Sequence, residues 1–341
     1  MLKASFKKYT LHFKKPAGTS RGVLRTKETY FLTINSKTNE GVGECGLFKG
    51  LSIDDRLDYE EKLNWLCANI NLDTETLLYE LREFPSIQIG LETALKSLKG
   101  NHKFEIFPSP FTQGEASIPI NGLIWMGNVS FMKKQIAAKI NAGFSCIKMK
   151  IGAIDFSSEI ELLKAIRKEF SPSKIELRVD ANGAFNPLDA LEKLKILSEY
   201  SIHSIEQPIK QGQWQEMAKL CETSPVPIAL DEELIGVFNE EDRLKLLETI
   251  NPQYIILKPT LVGGFKGSNE WIRLSEKKNI GWWITSALES NIGLNAIAQY
   301  TFTKSSILPQ GLGTGSLFTN NIPAPLEVKN GTLLYNKNKI N

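Results

Sequence analysis

Charged residues occur in this chain where short apolar runs should exclude them. Eight such runs, at residues 117–121, 146–150, 177–181, 203–207, 228–232, 254–258, 282–286 and 307–311, follow one another at start-to-start spacings of 25 to 31 residues. Five in succession carry charge near their C-terminal ends: Lys148 and Lys150, then Asp180, Glu206, Asp231 and Lys258. Burying one charge in an apolar strand is costly, so a succession of them needs a common cause. Three carboxylates at one rim repel strongly unless a cation neutralises them. Hard oxygen ligands on short strands, with room left for water or substrate, suit one Mg²⁺ ion, with Mn²⁺ as a substitute. The alternative is a structural ring of ion pairs between carboxylates and lysines. Glu232 directly follows Asp231, so strand alternation turns it to the opposite face.

The lysines flank the carboxylates in strand order and so lie on opposite sides of the triad. An ammonium buried near a divalent cation is disfavoured, its pKa falls, and it becomes competent as a general base. Lys148 and Lys150 share a face while Met149 points away; one of the two pairs with a metal ligand and the other is free to move protons. A substrate carboxylate on the metal accepts charge when its α-proton leaves, giving a stabilised enediolate.

Between the apolar runs lie amphipathic helices. Asn128 caps one whose Met132, Ile136 and Ile140 recur at spacing four, and Gly143 ends it. Asn186 precedes a first-turn proline, Pro187, with Ala190, Leu191, Leu194 and Leu197 as the buried stripe. Strands alternating with helices on this beat predict right-handed βαβ units in a parallel sheet, and eight of them close into a barrel with its chemistry at the strands' C-terminal ends. After the eighth run, Gly311-Leu312-Gly313-Thr314-Gly315 leads into no helix, so the last unit is truncated.

The first 112 residues do not keep this beat. Strands at 30–34 and 41–45 around a turn at 39–41, then helices at 54–69 and 87–98, predict an α+β module over the barrel mouth. Residues 113–317 form the barrel domain, and the tail, 318–341, returns to the first module.

Composition narrows the function classes. With 42% hydrophobic and 23% charged residues in 341, the chain is an ordinary globular protein. No apolar run approaches the roughly 18 residues that span a bilayer, and the N-terminus lacks an export h-region, so neither a membrane nor secretion is expected. Cys45, Cys67, Cys146 and Cys221 are scattered and read as reduced thiols of a cytoplasmic protein. A net charge of +3, spread along helices, does not predict nucleic-acid binding. Lys14-Lys15-Pro16-Ala17-Gly18-Thr19-Ser20-Arg21 is either a solvated hairpin loop or a basic lid over an anionic ligand. The oligomeric state is not readable from one chain.

Taken together, Lys148-x-Lys150, Asp180-Ala181-Asn182, Glu206-Gln207-Pro208, Asp231-Glu232 and Lys258-Pro259 resemble the enolase superfamily in its lysine-x-lysine, muconate-lactonizing-enzyme-like branch, whose Lys base and Mg²⁺ are a known pairing. The resemblance spans nearly the whole chain. It implies an α/β fold, a (β/α)₇β modified TIM barrel with an α+β capping domain. It also implies Asp180, Glu206 and Asp231 as metal ligands and Lys150 and Lys258 as the acid–base pair, with Lys148 beside them. Gly43-Glu44, Phe84-Pro85-Ser86, Pro119-Ile120-Asn121-Gly122-Leu123 and Ser286-Ala287-Leu288-Glu289-Ser290-Asn291-Ile292-Gly293-Leu294 are most similar to the o-succinylbenzoate synthases of that branch. These are lyases of menaquinone biosynthesis that dehydrate 2-succinyl-6-hydroxy-2,4-cyclohexadiene-1-carboxylate.

Carried over, that likeness implies a small dianionic substrate. Lys150 removes the α-proton and then protonates the departing hydroxyl on the same face, while Lys258 stays cationic. Arg21 belongs to the lid, and Asn182, Ser286, Gly311, Gly313 and Thr314 are candidate substrate contacts. Each of these outer residues also has a structural reading, as a cap, an ion-pair partner or a turn former. The rivals are an N-succinylamino acid racemase and a dipeptide epimerase using the same two lysines. A dipeptide epimerase would place aspartates on the eighth strand, where this chain has Gly311-Leu312-Gly313. A Schiff-base aldolase with Lys258 as nucleophile leaves the three carboxylates unexplained, and a non-catalytic scaffold leaves the lysines so.

Overall fold

The computed structural model describes residues 1–19, 22–100, 102 and 104–339. Its N-terminal module is an antiparallel sheet of β1 (Lys3–Thr19), β2 (Gly22–Asn35) and β3 (Glu40–Cys45), in that order, followed by α1 (Tyr59–Ala68), α2 (Thr74–Glu80) and α3 (Pro85–Lys99). The helix expected at 54–69 starts later than the pattern suggested. Asp54 instead turns its side chain to α3, accepting from the Ser86 amide at 2.9 Å and its hydroxyl at 2.6 Å. The α3–β3 packing is close enough to dictate residue type: a Cβ on Gly43 would lie 1.9 Å from the Gly90 carbonyl oxygen. Leu32, Ile34, Leu63, Leu66, Ile87 and Leu91 fill the core between sheet and helices.

The barrel follows α4 (Pro110–Gln113) and β4 (Ser117–Pro119). Its units are β5 (Gly122–Ile124) and α5 (Val129–Asn141), β6 (Cys146–Lys150) and α6 (Phe156–Glu169), β7 (Glu176–Asp180) and α7 (Pro187–Ser198), β8 (Ile202–Glu206) and α8 (Trp214–Thr223). They continue with β9 (Ile228–Leu230) and α9 (Glu240–Ile250), β10 (Tyr254–Leu257) with α10 (Pro259–Val262) and α11 (Gly264–Lys277), and β11 (Gly281–Ile284) with α12 (Asn291–Phe302). The parallel sheet runs in unbroken order from β5 to β11. Isolated parallel bridges, Ile120 to Gln310 and Thr285 to Gly311, close the ring in place of a full eighth strand. This is the expected α/β architecture with a truncated last unit.

The first barrel strand lies further along than the sequence pattern placed it. Ser117–Pro119 pairs outside the barrel with β13 (Thr332–Tyr335), itself paired with β12 (Leu326–Lys329), and the barrel strand begins at Gly122. A three-residue run can satisfy its backbone with any free edge, and here the tail supplies that edge. The tail therefore divides. Thr319 and Asn320 bond along β1, with Asn320 Nδ2 donating to the Thr10 carbonyl at 2.8 Å, whereas β12 and β13 stay with β4.

Two anticipated helix caps form: Asn128 Oδ1 accepts from Phe131 N at 2.9 Å, and Asn186 Oδ1 from Leu188 N at 3.0 Å. The four cysteines are unpaired. No helix among the described residues is long and apolar enough to cross a membrane.

Candidate active site

The parallel register sets the charged rim. Lys150 stands beside Asp180, and Asp180 beside Glu206, so the ends of three neighbouring strands bring their side chains to one level. Asp231 follows the last residue of β9, and Lys258 the last of β10. All six side chains are nearly or fully enclosed, the lysines being at most 12% exposed.

Opposite charges pair off around this rim. Lys148 Nζ lies 2.9 Å from Asp180 Oδ2 and also pairs with Glu206. Lys150 Nζ donates to Asp180 Oδ2 at 3.0 Å and to Asn182 Oδ1 at 2.6 Å. Lys258 pairs with Asp231 and lies 3.8 Å from Glu206 Oε1. Three cations and three anions thus balance. Because each carboxylate turns to an ammonium, no three acidic, histidine or cysteine side chains among the described residues close into a ligand cage. One oxygen is left over: Glu206 Oε1 is buried and has no hydrogen-bond partner.

The electrostatics follow from this balance. Burial opposes the Lys148 charge, but Asp180 and Glu206 outweigh it and hold the ammonium well above its ordinary value. Burial likewise works against Lys258, yet Asp231 and Glu206 push it up to about 12. Carboxylates are the nearest charged neighbours of these two lysines and favour the ammonium form of both. Glu206 is pushed up to about 7 by burial and by Asp180, with Asp231 adding to the effect. Burial raises Asp231 as well. Asp180 goes the other way: burial alone would raise it, but Lys148, Lys150 and Lys258 together hold it well below the carboxylate range.

Backbone geometry fixes the acceptors. Asn182 adopts φ 45°, a left-handed conformation that Asn tolerates better than most residues, and this directs its amide at Lys150. Its other end donates to Glu232 Oε1 at 3.1 Å. Glu232 therefore belongs to the site, contrary to strand alternation. β9 ends at Leu230 and residues 232–234 turn as a 3₁₀ segment, so the period of two lapses. Gln207, at φ 41°, accepts the Asp231 amide at 3.2 Å and seats the third carboxylate. Sequence patterning gave no role to either residue.

Above the rim is a cavity lined by Lys148, Lys150, Asp180, Asn182 and Lys258, and by Ser286, Gly311, Gly313 and Thr314 on the far side. Of the outer candidates, only Arg21 lies outside the described residues. Phe48 and Leu51 of the N-terminal module roof the cavity, and Lys139 of α5 reaches its lining; neither was singled out from the sequence. Asp180 is the sole acid among the described lining residues, against four lysines.

Residues 132–338 match the family model of enolase C-terminal domain-like proteins. The chain is 47% identical to the o-succinylbenzoate synthase of Desulfotalea psychrophila over 97% of its own length and 98% of that protein's. The crystal structure of MenC from that organism superposes with a TM-score of 0.87 at 43% identity, covering 98% of this chain and 99% of the other. A dipeptide epimerase from Enterococcus faecalis, solved with Mg and the dipeptide L-Leu-L-Tyr, shares the fold with a TM-score of 0.82 at 19% identity, covering 98% of this chain and 96% of that one.

Proposed function

The chain belongs to the enolase superfamily, and on that premise we propose that it is a hydro-lyase converting 2-succinyl-6-hydroxy-2,4-cyclohexadiene-1-carboxylate to o-succinylbenzoate, a step of menaquinone biosynthesis. The observation that carries the choice of substrate is the charge of the cavity. Four lysines and one aspartate are among its described lining residues, which suits a dianion and leaves a substrate ammonium no acidic partner there besides Asp180. That disfavours dipeptide epimerisation.

Asp180, Glu206 and Asp231 are the residues that would hold a divalent ion, Mg²⁺ or Mn²⁺. The fit is supported by an all-carboxylate donor set on adjacent strands, by the buried Glu206 Oε1 that accepts no hydrogen bond, and by the burial and the neighbouring Asp180 and Asp231 that raise Glu206. Bound there, the ion would neutralise the charge collecting on the substrate carboxylate as its α-proton leaves.

The remaining chemistry is assigned to this chain's own side chains. Lys150, aimed by Asp180 and Asn182, takes the α-proton and returns it to the departing hydroxyl on the same face. One C–H and one C–O bond break, water leaves, and the ring becomes aromatic. Lys258, held by Asp231 and kept protonated by it, faces the developing negative charge. Lys148 is committed to Asp180 and Glu206 and orients them. Phe48 and Leu51 exclude water from above. The four unpaired thiols support a cytoplasmic setting.

The test is incubation of the purified protein with Mg²⁺ and the cyclohexadiene substrate, following product absorbance, alongside N-succinylamino acids in ²H₂O. Dehydration is expected. Rapid α-deuteration of the amino acids without dehydration would make the protein a racemase that uses the same two lysines.

A further inference from the structure

Behind the far wall of the cavity lies a second set of buried charges that the proton chemistry does not use. Glu289, 1% exposed, is its hub. Its carboxylate accepts from the Ser286 hydroxyl at 2.6 Å, from the Ala287 amide at 3.1 Å and from the Thr260 hydroxyl. Thr260 sits two residues after Lys258. Ser286 in turn accepts from the Thr314 hydroxyl at 2.8 Å and from the Leu288 amide at 3.0 Å. The Ser286 proton is thereby spent on Glu289. Ser286 and Thr314 line the cavity, so the carboxylate behind them sets the orientation of that wall. Leu288 is held at φ 63°, an unfavourable conformation for a branched side chain that only the surrounding bonds can enforce.

Burying a carboxylate among three donors is favoured by a cation close at hand. The countercharge comes from the capping sheet. Lys27 of β2 is 6% exposed and donates to the Gly46 carbonyl at 3.1 Å, and a Cβ on Gly46 would lie 3.6 Å from Lys27 Nζ on one side and 3.3 Å from Glu289 Cγ on the other; burial lowers the Lys27 pKa, and Glu44 and Glu289 act against that. Glu44, 2% exposed, is itself bound to the barrel: it accepts from the Ser290 and Gly293 amides, each at 2.9 Å, at the N-terminus of α12, while Thr29 donates to it at 2.8 Å. Space around the cluster is closed, since a Cβ on Gly46 would lie 3.2 Å from Thr260 Cγ2 and 3.3 Å from Glu289 Cγ.

We infer that Lys27 of the capping sheet is a positioning residue for the dehydration. Seated across Gly46 from Glu289, it holds the Ser286–Leu288 turn and Thr314 in the shape that bounds the substrate cavity, without touching the substrate. The inference rests on the proposed reaction for its kinetic arm, while its structural arm is independent of any substrate.

The experiment compares wild type with Lys27→Met, Lys27→Arg, Glu289→Gln and the Lys27→Met/Glu289→Gln double variant. In the kinetic arm Lys27→Met raises KM about tenfold with kcat within about threefold, Lys27→Arg recovers most of the loss, and the double variant is no worse than Lys27→Met alone. In the structural arm, amide hydrogen exchange at Ala287 and Leu288 quickens roughly tenfold in Lys27→Met and returns toward wild type in Lys27→Arg. If Lys27→Met does not fold, the double variant, which removes both charges, folds and shows the same exchange. Unchanged exchange at these two amides, KM and kcat falling together, or additive losses in the double variant overturns the inference. Wild type failing to dehydrate while the exchange arm behaves as stated would count against the reaction assigned above and leave the positioning of the turn standing.

Discussion

Replacing Lys258 by Met removes one of the three ammoniums that balance the triad and leaves Asp231 without its partner and Glu206 with one fewer cation. Breaking a buried pair by deleting one member costs about 4 kcal/mol, because the surviving charge stays desolvated. With an unfolding entropy of roughly 0.7 kcal/mol/K for a chain of this length, that corresponds to a fall in Tm of about 6 °C. If Asp180, Glu206 and Asp231 form a cation site, the variant should respond to Mg²⁺ more than wild type does, since the ion then supplies the missing positive charge. At free Mg²⁺ one hundred times its Kd, binding alone restores about 2.7 kcal/mol. The assay is a thermal melt of both proteins in EDTA and across a Mg²⁺ series, with K⁺ at matched ionic strength as control. The expected result is a large Tm deficit for Lys258→Met in EDTA that narrows as Mg²⁺ rises. A deficit that stays constant across the series would refute the reasoning, and so would Mg²⁺ leaving both melts unmoved.

Asn182→Ala removes the 2.6 Å acceptor of Lys150 and leaves a φ of 45° that Ala tolerates poorly. We expect kcat to fall by roughly 10- to 100-fold, and steady-state kinetics beside Asn182→Gly, which relieves the backbone but not the lost bond, separates the two effects. Asp54, pushed up to about 6 by burial from its ordinary 3.8, has its folded-state pKa raised. Its contribution to stability is full below the unfolded value and is lost as pH rises through about 6, a swing on the order of 3 kcal/mol. Asp54→Asn, which keeps an acceptor for Ser86, should therefore gain on wild type in urea titrations between about pH 4 and 6, and parallel pH profiles would contradict the assignment. Gly43→Ala should cost about 3 kcal/mol or more by denaturant unfolding, because the added Cβ meets the Gly90 carbonyl.

Much of the barrel is legible because each βα unit writes itself locally. Apolar runs recur on one beat, Asn128 and Asn186 cap their helices, and the lysines and carboxylates stand at strand ends where residue type alone betrays them. What escaped the sequence depends on distant segments meeting. Ser117–Pro119 reads as a barrel strand until the tail, more than two hundred residues away, pairs with it. β1 runs through Lys14 and Lys15 with a mostly half-buried or exposed pattern, so its polar residues resemble a loop. Glu232 enters the site because β9 stops one residue before Asp231. Lys27, Glu44 and Glu289 show no mutual spacing, and only the docking of the capping sheet on α12 brings them together.

The central claim is that Lys150, at the edge of a metal-binding carboxylate triad, moves the substrate proton. The most direct measurement is the Mg²⁺-dependent rate of o-succinylbenzoate formation by wild type and by Lys150→Ala, with melting curves on both. The account predicts turnover by wild type that EDTA abolishes, and a loss of about 10³-fold or more in Lys150→Ala without loss of the fold. Turnover by Lys150→Ala near the wild-type rate, or full wild-type activity in EDTA, would contradict it.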